Sequence, residues 1–143
     1  MTVTQISVFL ENKPGHLAQV TRVLADQQIN IRALCIAETI DYGVLRLIVN
    51  DPVLAKRVLT EGGFTVTETP VLVAEIPDRP GGLAHAIGHL AAEGLNVEYA
   101  YTFVTHSGQS AYVVFRLEQM DKAAQVLSGA RVRILSGDEV YRL

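Results

Sequence analysis

The segment Lys13-Pro14-Gly15-His16-Leu17-Ala18 recurs later in the chain as Arg79-Pro80-Gly81-Gly82-Leu83-Ala84. Further identities at the same offset join Leu24 to Leu90, Ala25 to Ala91 and Asn30 to Asn96. They fall on apolar helix positions and on an asparagine that follows the helix. Such self-similarity indicates a duplicated module. We place the boundary near Pro70, so that residues 1–69 form the first domain and residues 70–143 the second.

The first copy predicts an alternation of strands and helices around its Pro-Gly turn. An apolar strand at 3–10 leads into the turn, and apolar residues at helical spacing follow it. Asn12 is suited to cap that helix and Pro14 to its first turn. The remaining expected elements are strands at 30–38 and 44–49 around a turn at Tyr42-Gly43, a helix that begins at Asp51-Pro52, and a strand at 64–68.

The second copy repeats this order. Its expected elements are a strand at 71–76, a helix at 81–93, strands at 96–104 and 111–117, a helix at 120–128, a strand at 131–135 and a short edge strand at 140–143. The order βαββαβ is that of the ferredoxin-like split motif. The predicted fold class is therefore α+β, with two ferredoxin-like modules and antiparallel sheets.

Two expected strands of the first copy are apolar on both faces, at residues 33–37 and 44–49. In a βαββαβ module the helices cover one face of the sheet, and the other face is usually more polar. The other half of the chain or a second chain must cover this face. We therefore predict a homodimer.

The composition excludes several classes of protein. The chain has 143 residues, of which 49% are apolar and 19% charged, so it can form a packed core and is not disordered. Its formal charge of −3 argues against a nucleic-acid partner. No apolar run approaches the roughly 20 residues of a membrane-spanning helix. Because no basic stretch precedes an apolar region near the N-terminus, we predict no signal peptide and a cytoplasmic location.

Neither the cysteine nor the histidines indicate a metal centre. Cys35 is the only cysteine, which rules out an intramolecular disulfide and a multi-cysteine site. His85 and His89 have the spacing of helical metal ligands, but Gln19 and Val23 stand at the corresponding positions of the first copy. Because no third ligand is evident, we interpret these histidines as a solvent-facing helix surface. We predict no metal and no cofactor.

Three aromatic residues, Tyr99, Tyr101 and Phe103, share one face of an expected strand. Aromatic side chains on a ferredoxin-like sheet are typical of single-strand RNA readers. Since a basic surround and the glycine-aromatic signature are missing, packing in a core or interface is favoured. The same side chains are also placed to line a ligand pocket in the second half.

The repeated turns are the best candidates for a binding site. Backbone N–H groups at a helix start attract anions, and Gly15 and Gly81 allow a ligand to approach the backbone closely. Lys13 and Arg79 add positive charge beside the turns. This chemistry suits an amino acid or a similar small zwitterion. The alternative is that the Pro-Gly pair only begins a helix. No nucleophile-elbow, phosphate-loop or paired-carboxylate pattern is present, so we do not predict an enzyme.

These segments resemble the ACT domain family, in tandem. The resemblance rests on residues 8–17 with Asn30-Ile31, and on residues 75–83 with Asn96-Val97. The Asp-Arg-Pro-Gly-Gly-Leu of the second copy matches the family pattern better, because Asn12-Lys13 departs from it conservatively. The similarity covers essentially the whole chain, as in small stand-alone tandem ACT proteins.

The resemblance implies a regulatory protein that binds an amino acid at the strand-to-helix turns and the domain interface. The ligand-binding residues that it implies are Asn12, Lys13, Gly15, His16, Leu17, Asn30 and Ile31 in the first half, and Asp78, Arg79, Gly81, Gly82, Leu83, Asn96 and Val97 in the second. The alternative is a non-catalytic assembly subunit of a metabolic enzyme, with no ligand of its own.

Overall fold

The computed structural model describes residues 2–103 and 108–143, and their contacts divide the chain into two compact units. The first unit holds residues 4–69 and the second residues 70–142. Each unit has the element order βαββαβ, so the predicted fold class of two ferredoxin-like modules is confirmed. Within the described residues, no helix combines the length and apolar character needed to cross a membrane.

The elements of the first unit are β1 (Val3–Glu11), α1 (His16–Asp26), β2 (Ile31–Glu38), β3 (Tyr42–Val49), α2 (Pro52–Glu61) and the first part of β4 (Thr65–Pro77). Its strand order is β2-β3-β1-β4. The β1–β3 and β2–β3 pairs are antiparallel.

Alternation along β1 builds the core of the first unit. Ile6, Val8 and Leu10 are buried and pack against the apolar sides of α1 and α2. Helix α2 begins as predicted: the Asp51 side chain accepts a hydrogen bond from the Leu54 N–H at 3.0 Å, and a proline occupies the first turn. Both helices therefore cover the face of the sheet that carries the alternating apolar residues.

The elements of the second unit are the later part of β4, α3 (Gly82–Ala92), β5 (Tyr99–Thr102), β6 (Ser110–Arg116), α4 (Met120–Gly129) and β7 (Arg133–Ile134). Its strand order is β7-β4-β6-β5, which is the same topology as in the first unit. Leu72, Leu90, Phe115 and Leu127 are central to its core. The expected strand at 96–104 is shorter than predicted, and its residue 104 lies outside the described residues.

Two expected boundaries in strands are wrong. Tyr42 and Gly43 are the first residues of β3 rather than a turn, because the chain reverses earlier, where the Thr39 N–H donates to the Tyr42 carbonyl at 2.7 Å. The strands expected at 64–68 and 71–76 form one strand, β4, that continues through Pro70. A proline lacks only the N–H donor, and the Pro70 carbonyl accepts a hydrogen bond from Arg116 Nη1 at 2.9 Å.

The edge strand expected at 140–143 is also wrong. The chain forms a short helix there, α5 (Gly137–Tyr141), which begins at a capping box. The Ser136 side chain accepts from the Glu139 N–H, while the Glu139 side chain accepts from the Ser136 N–H. These reciprocal bonds stabilise a helix start that the alternation of apolar residues did not reveal.

Candidate functional site

The first strand-to-helix turn depends on a glycine in the left-handed region. Strand β1 ends at Glu11, and α1 begins at His16 after Gly15, whose φ is +92°. A residue with a Cβ is strained in that conformation, which explains the glycine. Contrary to expectation, no side chain caps α1, and Pro14 precedes the helix instead of standing in its first turn. The N–H groups of the first helical turn therefore lack a side-chain acceptor.

The second turn repeats this geometry. Gly81 has a φ of +89° and immediately precedes α3, which also begins without a side-chain cap. The Arg79 N–H donates to the Pro77 carbonyl at 3.0 Å, as the Lys13 N–H donates to the Glu11 carbonyl at 2.9 Å. The duplicated sequence therefore forms the same backbone turn twice.

The next position distinguishes the two turns. At Gly82 an added Cβ would lie 2.2 Å from the Pro77 carbonyl oxygen, so the backbone there leaves no room for a side chain. The first unit has His16 at this position, and its turn is more open. The His16 N–H lies 3.5 Å from the Lys13 carbonyl, whereas the Gly82 N–H lies 3.0 Å from the Arg79 carbonyl.

The His16 ring is held by neighbours on two sides. Its Nδ1 accepts a hydrogen bond from the Glu11 N–H at 3.1 Å, so this nitrogen carries no proton in the arrangement. The ring also meets Phe64 edge-on, with 6.2 Å between the ring centroids. His16 thus links the end of β1 to the segment that precedes β4.

A carboxylate near each turn is paired with a cation. Lys13 Nζ lies 3.0 Å from Glu11 Oε2, and the hydrogen bond from Lys13 lowers the pKa of Glu11. In the second unit Arg133 Nη1 lies 2.8 Å from Glu75 Oε2, and this hydrogen bond lowers the pKa of Glu75. Both carboxylates are therefore ionised at neutral pH.

A cavity lies beside each turn, at corresponding positions of the two units. The first has a volume of about 370 Å³ and the second about 390 Å³. Both volumes fall within the usual range of small-molecule pockets. The first is lined by Phe9, Glu11, His16, Gln19, Gly62, Gly63, Phe64 and Thr65. The second is lined by Glu75, Pro77, Arg79, Pro80, Gly81, Gly82, His85, Ala130, Arg131 and Val132.

Sequence reasoning missed one wall of each cavity. These walls are the turns between the second helix and the last strand of each unit, at Gly62-Gly63 and Ala130-Arg131. In a βαββαβ sheet the last strand lies beside the first, as β4 lies beside β1 and β7 beside β4. The turn that leads into the last strand therefore faces the strand-to-helix turn. The predicted βαββαβ order of each copy was therefore enough to indicate that these turns face each other.

A smaller cavity of about 150 Å³ lies on the other side of the first turn. Its walls include three of the implied ligand residues, Asn12, Lys13 and Leu17, together with Ile36 of β2. Asn12 Nδ2 donates to the carbonyls of residues 39 and 40 at 3.3 and 3.2 Å. The side chain of Asn12 thus ties the turn to the β2–β3 hairpin.

The implied residues Asn30 and Ile31 do not lie near the first turn of their own unit. In the strand register Ile31 pairs with Val49, whereas Glu11, beside the turn, pairs with Tyr42. These pairs stand at opposite ends of β3, about 23 Å apart at the usual rise of a strand. The Asn30 N–H donates to Asn50 Oδ1 at 2.9 Å, and Ile31 packs against the core.

The second unit separates its implied residues in the same way. Asn96 lines a cavity of about 230 Å³ with Glu98 and Glu118, at the end of the sheet away from the turn, and Val97 packs against the core. Asp78 and Leu83 remain beside the turn: the Asp78 N–H donates to the Gln109 carbonyl at 3.0 Å, and the Leu83 side chain is exposed.

The other candidate groups in the described part of the chain form no metal centre, and two aromatic residues at β5 pack internally. His85 and His89 face each other with 4.6 Å between ring centroids. Across residues 2–103 and 108–143, no three His, Cys, Asp or Glu side chains cluster so as to hold a metal ion. Tyr101 and Phe103 are each only 8% exposed, which fits packing better than an open nucleic-acid platform.

Comparisons with known proteins agree with this architecture. The family model described as an ACT domain pair matches residues 1–143. No curated protein matches. The crystal structure of a Bacteroides thetaiotaomicron protein is similar, with 44% identity, a TM-score of 0.94, and coverage of 100% of this chain and 98% of that one.

Two more distant structures share the fold. The regulatory subunit of aspartate kinase from Thermus thermophilus, in its ligand-free form, has 18% identity and a TM-score of 0.66, covering 89% of this chain and 91% of that one. The corresponding subunit from Thermus flavus has 19% identity and a TM-score of 0.58, with coverage of 90% and 92%. At these identities the similarity concerns the fold alone.

Proposed function

Since the chain belongs to the family of ACT domain pairs, we propose that it is a non-catalytic regulatory protein that binds an amino acid at its strand-to-helix turns. The observation that carries this proposal is the repeated cavity of about 370 and 390 Å³ beside the two turns. A merely structural Pro-Gly turn would not require an open cavity of ligand size in both units.

The chemistry of the turns supports a zwitterionic ligand. Each cavity adjoins the start of a helix that has no side-chain cap, and the dipole of such a helix start favours a carboxylate. Carbonyl oxygens and the ionised Glu11 or Glu75 are placed to accept from an ammonium group. We place Gly15, His16, Arg79, Gly81 and Gly82 at the ligand, with Asn12, Lys13, Leu17, Asp78 and Leu83 supporting the turns. Asn30, Ile31, Asn96 and Val97 stand too far from the turns of their own units to share these cavities.

A thermal-shift series against the twenty amino acids tests this proposal, with calorimetry on any that act. A ligand that binds only the folded protein stabilises it by about 2.7 kcal/mol at roughly a hundred times its dissociation constant. A selective rise in melting temperature supports the proposal and identifies the ligand. No shift at millimolar concentrations contradicts it.

An exposed apolar surface supports a second candidate function, assembly with another protein. Leu34 and Ile36 of β2 are each 43% exposed, and β2 stands at the edge of the first unit. Phe9 and Tyr42 are also exposed and stack at 5.0 Å. We propose that these side chains are covered in a homodimer or by a metabolic enzyme; the Thermus proteins of similar fold are subunits of an aspartate kinase.

Light scattering of the purified protein at micromolar concentration tests the homodimer. A dimer that dissociates when Leu34 and Ile36 are both replaced by serine supports it, and a monomeric wild type contradicts it. The cytoplasmic location remains a prediction.

A further inference from the structure

The two turn cavities are similar in size but differ in their charged residues. Phe9, Phe64 and Glu11 are among the residues that line the first, and Lys13 neutralises the charge of Glu11. Two arginines line the second: Arg79 beside the turn, and Arg131 where the first cavity has Gly63. Duplication therefore produced two corresponding cavities with different charged residues in their walls.

The positive charges of the two arginines that line the second cavity are not neutralised by any neighbouring carboxylate that the structure describes. Within residues 2–103 and 108–143, neither Arg79 nor Arg131 forms an ion pair. The one carboxylate on the wall, Glu75, is already matched by Arg133 at 2.8 Å. The imidazole Nε2 of His85 lies 3.4 Å from the Ala130 carbonyl, to which it donates. The residues that line the second cavity therefore carry a net positive charge that no carboxylate of the described residues neutralises.

Arg131 stands where the first unit has a glycine. Its φ is +62°, in the region that favours glycine, and Gly63 occupies the corresponding position with φ +91°. Gln28 and Gly94 show the same exchange after the first helix of each unit, with φ +60° and +71°, so this conformation belongs to the helix end. What distinguishes the second cavity is the charge that Arg131 brings to its wall.

From this contrast we infer that the second cavity binds a small organic dianion, carrying carboxylate or phosphate groups, between Arg79 and Arg131, and that the first cavity does not. Guanidinium groups bind both acids through paired hydrogen bonds. The start of α3 adds backbone N–H donors on the same side. The inference rests on the proposed function, since it assigns a charge class of ligand to one of its two sites.

Calorimetry of the full chain with three probes tests the charge class. Succinate represents a dicarboxylate, inorganic phosphate represents the phosphate group, and succinamide is the neutral counterpart of succinate. We expect heat of binding for succinate, phosphate or both, none for succinamide, and weaker binding at higher salt. Binding of succinate alone identifies a dicarboxylate site, and binding of phosphate alone a phosphate site.

Variants locate the site and separate binding from folding. Arg79→Gln and Arg131→Gly should each weaken binding of the active anion at least about tenfold. Arg131→Gly should leave the melting temperature unchanged or raise it, because glycine relieves the left-handed strain. Gln28→Gly is a matched control, since Gln28 has φ +60° and lies outside both cavities. This control should bind the anion as the wild type does.

Three results would overturn the inference: no binding of either anion, equal binding of succinamide, or unchanged anion binding in either arginine variant. If an amino acid binds while both anions fail, the inference is wrong and the proposed function stands. If neither the amino acids nor the anions bind, both are wrong.

Discussion

Replacing Gly82 with alanine should destabilise the second unit by about 1–3 kcal/mol, the usual cost of overpacking a tight site. The added methyl group would lie 2.2 Å from the Pro77 carbonyl oxygen, which belongs to backbone and cannot rotate away. The turn must therefore open. The first unit indicates how far, because the N–H of His16 stands 3.5 Å from its acceptor, whereas that of Gly82 stands at 3.0 Å. Lengthening this bond removes part of the roughly 0.5–1.5 kcal/mol that a hydrogen bond contributes.

Gly88→Ala is the matched control in the same helix. A Cβ at Gly88 would meet no atom within 4 Å. Alanine has the higher helix propensity, so this variant should gain about 0.5–1 kcal/mol. The two identical substitutions in α3 are therefore expected to have opposite signs.

Urea unfolding, followed by circular dichroism and by tyrosine fluorescence, measures both variants. The chain has no tryptophan, and Tyr99, Tyr101, Tyr112 and Tyr141 all lie in the second unit, so tyrosine emission reports mainly on that unit. The midpoint should fall for Gly82→Ala and rise for Gly88→Ala at unchanged slope. If Gly82→Ala were as stable as the wild type, the steric argument from the Pro77 carbonyl would be refuted.

Three further perturbations test other parts of the structure. Gly15→Ala should cost about 1–2 kcal/mol in urea unfolding through its left-handed φ alone, because a Cβ there meets nothing within 4 Å; an unchanged midpoint would contradict this. Asp51→Ala removes the side chain that caps α2 and should cost about 0.5–2 kcal/mol, with faster amide exchange in the first turn of α2, whereas Asp51→Asn should retain most of the stability. Arg133 lowers the pKa of Glu75 from 4.5, so this carboxylate stabilises the second unit above pH 4.5 and loses its contribution as the pH falls through the folded-state pKa. In the Glu75→Gln variant, the free energy of unfolding should therefore fall less steeply as the pH is lowered through this range. An unchanged pH dependence would show that the ion pair contributes nothing to stability.

Local rules were sufficient for much of the fold. The cap and first-turn proline at Asp51-Pro52 predicted the start of α2, because that geometry depends only on neighbouring residues. The Pro-Gly repeat located both strand-to-helix turns. The helix at Gly137–Tyr141 was missed although its capping box is itself a local signal. Strand β4 continues through Pro70, which local rules did not indicate.

The candidate site shows the same division. The turns were expected at the ligand and do adjoin cavities, but the facing walls at Gly62-Gly63 and Ala130-Arg131 come from distant parts of the chain. The family resemblance groups Asn30 with its turn. The strand register instead places it at the other end of the sheet, where it bonds Asn50. A residue that recurs in a repeat can therefore have a structural role in each copy rather than a role in ligand binding.

The sequence by itself determined the duplication, the βαββαβ order and the two glycine-dependent turns, because each follows from local conformational preference or from apolar periodicity. Only the tertiary structure decided which groups share a cavity. It placed Phe64 beside the first turn and Arg131 beside the second, and it separated Asn30 from the turn of its own unit. Pairing of the last strand beside the first brings together residues far apart in the chain, and no local preference specifies that contact.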